Sequence, residues 1–147
     1  GEGKPVTRAL VVEFVGLSRE EQSWEIQSVL LRDGPRAAIE KLDELVRVSG
    51  VPEVLIGWSI VEILRKVHEA ARLLGQGQAE FAVGKQLRLW GDSQALVCRV
   101  ARGLGAHGAA ALLDEAVRTD ARTKSGLSSD HARTFEGLLV TVGGRIR

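Results

Sequence analysis

Residues 87–127, LRLWGDSQALVCRVARGLGAHGAAALLDEAVRTDARTKSGL, decide the fold. Val97, Val100, Ala101 and Leu104 recur at i, i+3, i+4 and i+7, the spacing that gathers apolar side chains on one helical face, with Asp92 or Ser93 placed to cap the start. A second helix is expected from about Ala106 to Lys124, rich in Ala and Leu. It closes on Arg118, Arg122 and Lys124, followed by Ser125-Gly126. Basic residues there offset the partial negative charge of a helix C-terminus, and they are also placed for a local phosphate contact.

Helical periodicity extends outward in both directions. A short apolar helix is expected from Thr7 to Val15, stopped by Gly16, and Ser18 with Glu21 forms a capping box for a helix carrying Trp24, Ile26, Val29 and Leu30. After Asp33-Gly34, Pro35 suits a first helical turn, where its missing N–H costs nothing, and Ile39, Leu42, Leu45 and Val46 supply an inward stripe. Asp43 and Arg47 should pair outside at i, i+4. Pro52 opens the longest apolar helix, from Val54 to Leu74, by the same device, and Gly75-Gln76-Gly77 breaks it. A short helix from Ala79 to Leu87 follows, with Trp90-Gly91-Asp92 as its turn. Ser128-Ser129-Asp130 then caps a last helix bearing Phe135, Leu138, Leu139 and Val142, which Gly143-Gly144 is expected to end, leaving residues 145–147 as a frayed tail. With no alternating β-branched run, the expectation is an all-α single bundle of about seven to eight helices.

Composition narrows the function classes. A chain of 147 residues is expected to bury roughly 68–70% of its extended surface, enough for a core without disulfides or metal. The net charge of +1 advertises no nucleic-acid partner in bulk, so any DNA contact has to be local. Cys98, the single cysteine, sits in an apolar helical pattern and reads as a buried structural thiol in a reducing cytoplasm. No apolar run approaches the roughly 18 residues that span a bilayer, and no signal-peptide layout is visible, so a soluble chain is expected. The absence of Met and the Gly-Glu-Gly start point to an excised fragment.

Motifs for chemistry fail on context. Gly103-Leu104-Gly105-Ala106-His107-Gly108 has the letters of a dinucleotide loop, but lies between two helices instead of following a strand, and reads as a helix-terminating turn. Gly84-Lys85 lacks the upstream glycine and the following Ser or Thr of a phosphate loop. His68, His107 and His131 have no carboxylate or thiol at a metal-ligand interval, so no cofactor, metal or catalytic residue is assigned. Residues 79–102 could form a helix-turn-helix with Lys85, Arg88, Arg99 and Arg102 on phosphates, although the last two stand away from the base-reading end of the second helix. Trp24, Trp58 and Trp90 are expected to anchor core or subunit contacts.

The order of WEIQSVLLRDGPRAAIEKLDEL (24–45), the quoted 87–127 stretch and FEGLLVTV (135–142) resembles the C-terminal part of the delta subunit of the bacterial DNA polymerase III clamp loader. The closest likeness lies in LLRDGPRAAIEKLDEL (30–45) and LLDEAVRTDARTKSG (112–126). This resemblance implies a clamp-loader collar-like fold, with residues 1–17 as the end of the lid domain or a leader helix and residues 18–147 as the helical collar domain. It implies a cytoplasmic, non-catalytic subunit of a DNA-directed DNA polymerase holoenzyme that assembles with the ATPase subunits and delta-prime. The sliding clamp would be bound only through an N-terminal domain outside this chain. Near the primer-template junction, Arg122, Lys124 and Leu127 become the candidate DNA contacts, although an aromatic would stack on a base better than Leu127 does. A helix-turn-helix DNA-binding domain and a free-standing helical protein-interaction domain are the alternatives.

Overall fold

The computed structural model describes residues 19–124 and 131–146, and there the chain is all-α, with six helices and no strand. They are α1 (Arg19–Asp33), α2 (Pro35–Asp43), α3 (Glu53–Gly75), α4 (Glu80–Leu87), α5 (Asp92–Lys124) and α6 (His131–Ile146). The expected Thr7–Val15 helix and the Ser18 and Ser128–Asp130 caps lie outside the described residues. Expected as two, the helices on either side of Gly105 run together as α5, which brings the number below seven.

Gly105 explains both readings. Its φ of 71° and ψ of 169° are non-helical, so one residue kinks an otherwise continuous 33-residue helix. That conformation is open almost only to glycine. Read as two helices the segment is too short, but Asp92–Lys124 as one helix is long and apolar enough to cross a bilayer by length and composition. Within the fold its apolar positions are spent on the core, with Val97, Cys98, Val100, Ala101, Ala109, Leu112 and Ala116 buried.

The largest interface in the molecule joins α3 to α5. Leu55, Ile56, Ile60, Ile63, Leu64 and Val67 are buried along α3, and each large apolar side chain removed from water contributes about 1.5–3 kcal/mol. At one end the helices meet at Gly57, where a Cβ would collide with the Asp120 carboxylate and lie 2.9 Å from the Phe135 ring. Toward the other end small residues are buried on both helices, Ala70 and Ala71 on α3 and Ala101 on α5. α1 is tied in by the buried Gln27 amide, which donates to the Ser59 carbonyl at 2.8 Å, while the Ser59 hydroxyl donates to the Leu55 carbonyl at 2.7 Å.

Local chemistry sets the ends of several helices. Pro35 occupies the first turn of α2 as expected, but Pro52 is the residue before α3, at φ −61° and ψ 137°, because an extended backbone there carries the chain across from Val51. α2 continues into a wider, π-helical turn (Glu44–Val48), in which the Ser49 N–H donates to the Glu44 carbonyl at 3.1 Å, and Arg47 pairs with Asp43 at 3.2 Å. The Ser93 hydroxyl donates to the Trp90 carbonyl at 2.9 Å and braces the turn. Phe135, Leu138, Leu139 and Val142 are buried along α6 as the spacing requires. That helix does not stop at Gly143-Gly144. Gly143 is buried with Pro35 Cβ at 2.7 Å from where its own Cβ would stand, so the glycine serves close packing and the helix runs on to half-buried Ile146.

α4 ends on Arg88, whose φ of 60° makes it the one non-glycine residue with positive φ among the described residues. The Leu89 N–H donates to the Gly84 carbonyl at 2.7 Å and Leu89 is buried, which is the usual left-handed helix stop with its apolar seal. Glycine is the common occupant of that position. A larger side chain there costs about 1 kcal/mol.

Two glycine substitutions should act in opposite directions. Gly57→Ala is expected to lower stability by about 1–3 kcal/mol, since the Asp120 carboxylate and the buried Phe135 ring leave no room. Gly137→Ala, on an exposed helical position with nothing within 4 Å, should raise it by roughly 0.5–1 kcal/mol. Urea unfolding of both variants measures the difference, and equal destabilisation would contradict the close-approach account.

Candidate functional site

The C-terminal turns of α5 bring together two of the three residues singled out for DNA contact. Arg122 is exposed and hydrogen bonds to the Thr119 hydroxyl oxygen at 3.3 Å, while the Thr119 hydroxyl donates to the Glu115 carbonyl at 2.9 Å. Lys124 Nζ stands 2.8 Å from Asp120 Oδ2, and Arg118 is paired with Asp114 one turn earlier. Leu127 lies outside the described residues. The turn therefore carries exposed Arg122, bonded to a threonine, and Lys124 with its charge shared by a carboxylate.

Asp120 links this surface to the core. Its side chain is only 14% exposed; Oδ2 meets Lys124, while Oδ1 is buried with no hydrogen-bond partner among the described residues, in the space left by Gly57. The buried oxygen without a donor has lost its hydration, a cost that the ion pair of Lys124 with the other oxygen partly offsets. For Lys124 to meet a phosphate, the ammonium group has to share itself between that phosphate and Asp120.

Exposed large apolar side chains fall mainly at the two ends of the α3–α5 pair. Val54 and Trp58 lie one turn apart on α3, and Val117 lies one turn before Asp120. Since Gly57 touches Asp120, these residues stand at the same end as Arg122 and Lys124. At the opposite end, Phe81 on α4 is 73% exposed and Trp90 in the following turn 72%. Trp24 packs against the core and Trp58 is 38% exposed, so of the three tryptophans Trp90 departs most from the expected anchoring role.

The four cations of the helix-turn-helix reading separate into two kinds. Arg102 is bound to Glu80 at 2.6 Å across α4 and α5, and Arg99 donates to the Leu31 carbonyl at 3.3 Å, fastening α5 to the end of α1. Both are used within the fold. Lys85 and Arg88 are exposed and make no ion pair among the described residues.

Pockets are shallow. A groove of about 420 Å³ is lined by Leu30, Leu31, Arg99, Val100 and Ile146, and among the described residues no three His, Cys, Asp or Glu side chains converge as metal ligands would. Cys98 is fully buried, and that burial raises its thiol pKa; the nearby Glu80 carboxylate raises it further and Arg102 opposes. A neutral buried thiol is a poor nucleophile. Comparisons with protein-family models, with curated proteins and with solved structures return no match.

Because the folded state holds Cys98 protonated above its ordinary range, the unfolded chain releases that proton first as pH rises. Stability should therefore fall above the ordinary thiol pKa of about 8.5, and more steeply than in Cys98→Ala, whose lower starting stability is a separate effect. Urea midpoints measured between neutral and alkaline pH check this; parallel curves for the two proteins would remove Cys98 as the cause.

Proposed function

We propose that this chain is the non-catalytic collar portion of a DNA polymerase III delta subunit, which assembles with the ATPase subunits and delta-prime into the cytoplasmic clamp loader that places the sliding clamp on primed DNA. The observation that carries the reading is the end of the α3–α5 pair where exposed Val54, Trp58 and Val117 adjoin Arg122 and Lys124. Exposed apolar side chains, an aromatic among them, suit burial against neighbouring subunits, and a cationic helix end beside them suits a phosphate backbone running past the assembled ring. Residues 18–147 would be the collar and residues 1–17 the end of the lid or a leader helix. The clamp would be reached through an N-terminal region outside this chain.

The function assigned is positional. Rigid helices hold delta in its place in the ring, and Arg122 and Lys124 touch DNA backbone without reading bases. Leu127 would add an apolar contact beside them. The helix-turn-helix alternative is weakened because Arg99 and Arg102 are already committed to Leu31 and Glu80.

Size exclusion with light scattering on a mixture of this chain, the ATPase subunit and delta-prime should show co-elution at one copy of the chain. In the assembled loader, Arg122→Ala with Lys124→Ala should weaken primed-DNA binding about tenfold at moderate salt while the ring still forms, each lost charge contact being worth several-fold. A folded chain that ignores both partners would overturn the collar assignment. Intact DNA binding by the double variant would overturn the DNA role alone.

A further inference from the structure

From the surface of α4 and the turn after it, we infer a second nucleic-acid site, one that takes single strands. Phe81 and Lys85 lie at i, i+4 on the face of α4 opposite buried Val83; Arg88 caps the helix, and Trp90 follows in the turn. Two aromatics, 73% and 72% exposed, thus flank two cations that have no ion pair among the described residues. From Phe81 to Gly91 there is no carboxylate. The flanking acids are Glu80, already held by Arg102 at 2.6 Å, and Asp92 in the first turn of α5.

The chemistry selects the ligand. Exposed aromatic faces with cations between them match a chain of unstacked bases on a phosphate backbone, since each base offers a π face and each linkage a charge. A duplex hides its base faces, so this surface does not fit one. Arg88 holds a left-handed cap position that favours glycine, yet it carries an exposed cation between Lys85 and Trp90 in sequence. α3 runs about 27 Å from Gly57 to Gly75 at 1.5 Å per residue, and α4 follows that far end, so this site goes beyond the primed-DNA contact proposed above and does not rest on it.

The test uses this chain alone with a fluorescent oligothymidylate of about 20 nucleotides in about 50 mM salt, read by anisotropy. Saturable binding is expected, with a log–log salt slope near −1.4 for two phosphate contacts. Trp90→Ala and Phe81→Ala should each raise Kd about tenfold with unchanged thermal melting. Lys85→Ala with Arg88→Ala should flatten the salt slope, whereas Arg65→Ala, an exposed cation on α3, should leave it unchanged. Arg88→Gly separates binding from structure: it should melt higher and bind severalfold more weakly. No binding, unchanged affinity in Trp90→Ala, equal losses in Arg65→Ala, or a blunt duplex bound as tightly would each overturn the site. None of these outcomes bears on co-elution with loader subunits.

Discussion

The closeness of α3 to α5 is the constraint on which the rest of the molecule depends. It is set by the side chain that Gly57 lacks: into that space go an Asp120 oxygen and the edge of the Phe135 ring, so a single position fixes three helices at once. Toward the far end Ala70, Ala71 and Ala101 provide narrow surfaces, and the larger residues between fill the seam. Close-packed interiors tolerate little change of volume, so the register of α3 against α5 is strongly specified.

Around that pair the other helices are fastened by particular groups. Gln27 hydrogen bonds to the Ser59 carbonyl, Arg99 to the Leu31 carbonyl, Arg102 to Glu80, and Gly143 rests on Pro35. The same geometry distributes the surface. One end of the pair displays Val54, Trp58 and Val117 beside a basic helix terminus, the other displays Phe81 and Trp90 beside Lys85 and Arg88. Binding surfaces placed on rigid helices need little reorganisation to engage a partner.

Periodicity made most of the helices legible. Val97, Val100 and Ala101, and Phe135 through Val142, are buried in the pattern their spacing dictates. Glycines were harder to read, because a letter does not say whether conformation or space requires it. Gly105 is a break in sequence and in structure, but the helix resumes within one residue; Gly143 has the look of a stop, although what it supplies is room for Pro35, distant in sequence. At the candidate site, Arg122 and Lys124 were visible as a basic helix end, whereas the partnership of Lys124 with Asp120 depends on Gly57 and was not. Phe81 was missed altogether, since aromatic residues on a short helix are ordinarily counted as core. Its i, i+4 relation to Lys85 was the signal available.

The pairing of Gly57 with Asp120 also has a consequence for the order in which the protein is made. The partners are separated by roughly sixty residues, so the contact with the widest influence is a long-range one, and such contacts close slowly. Until Asp120 has been synthesised, Leu55, Ile56, Ile60 and Ile63 have no second half of α5 to cover them, and translation at about 5–20 residues per second prolongs that interval to several seconds. During it, the nascent chain carries an uncovered apolar helix, a target for chaperones and for premature association.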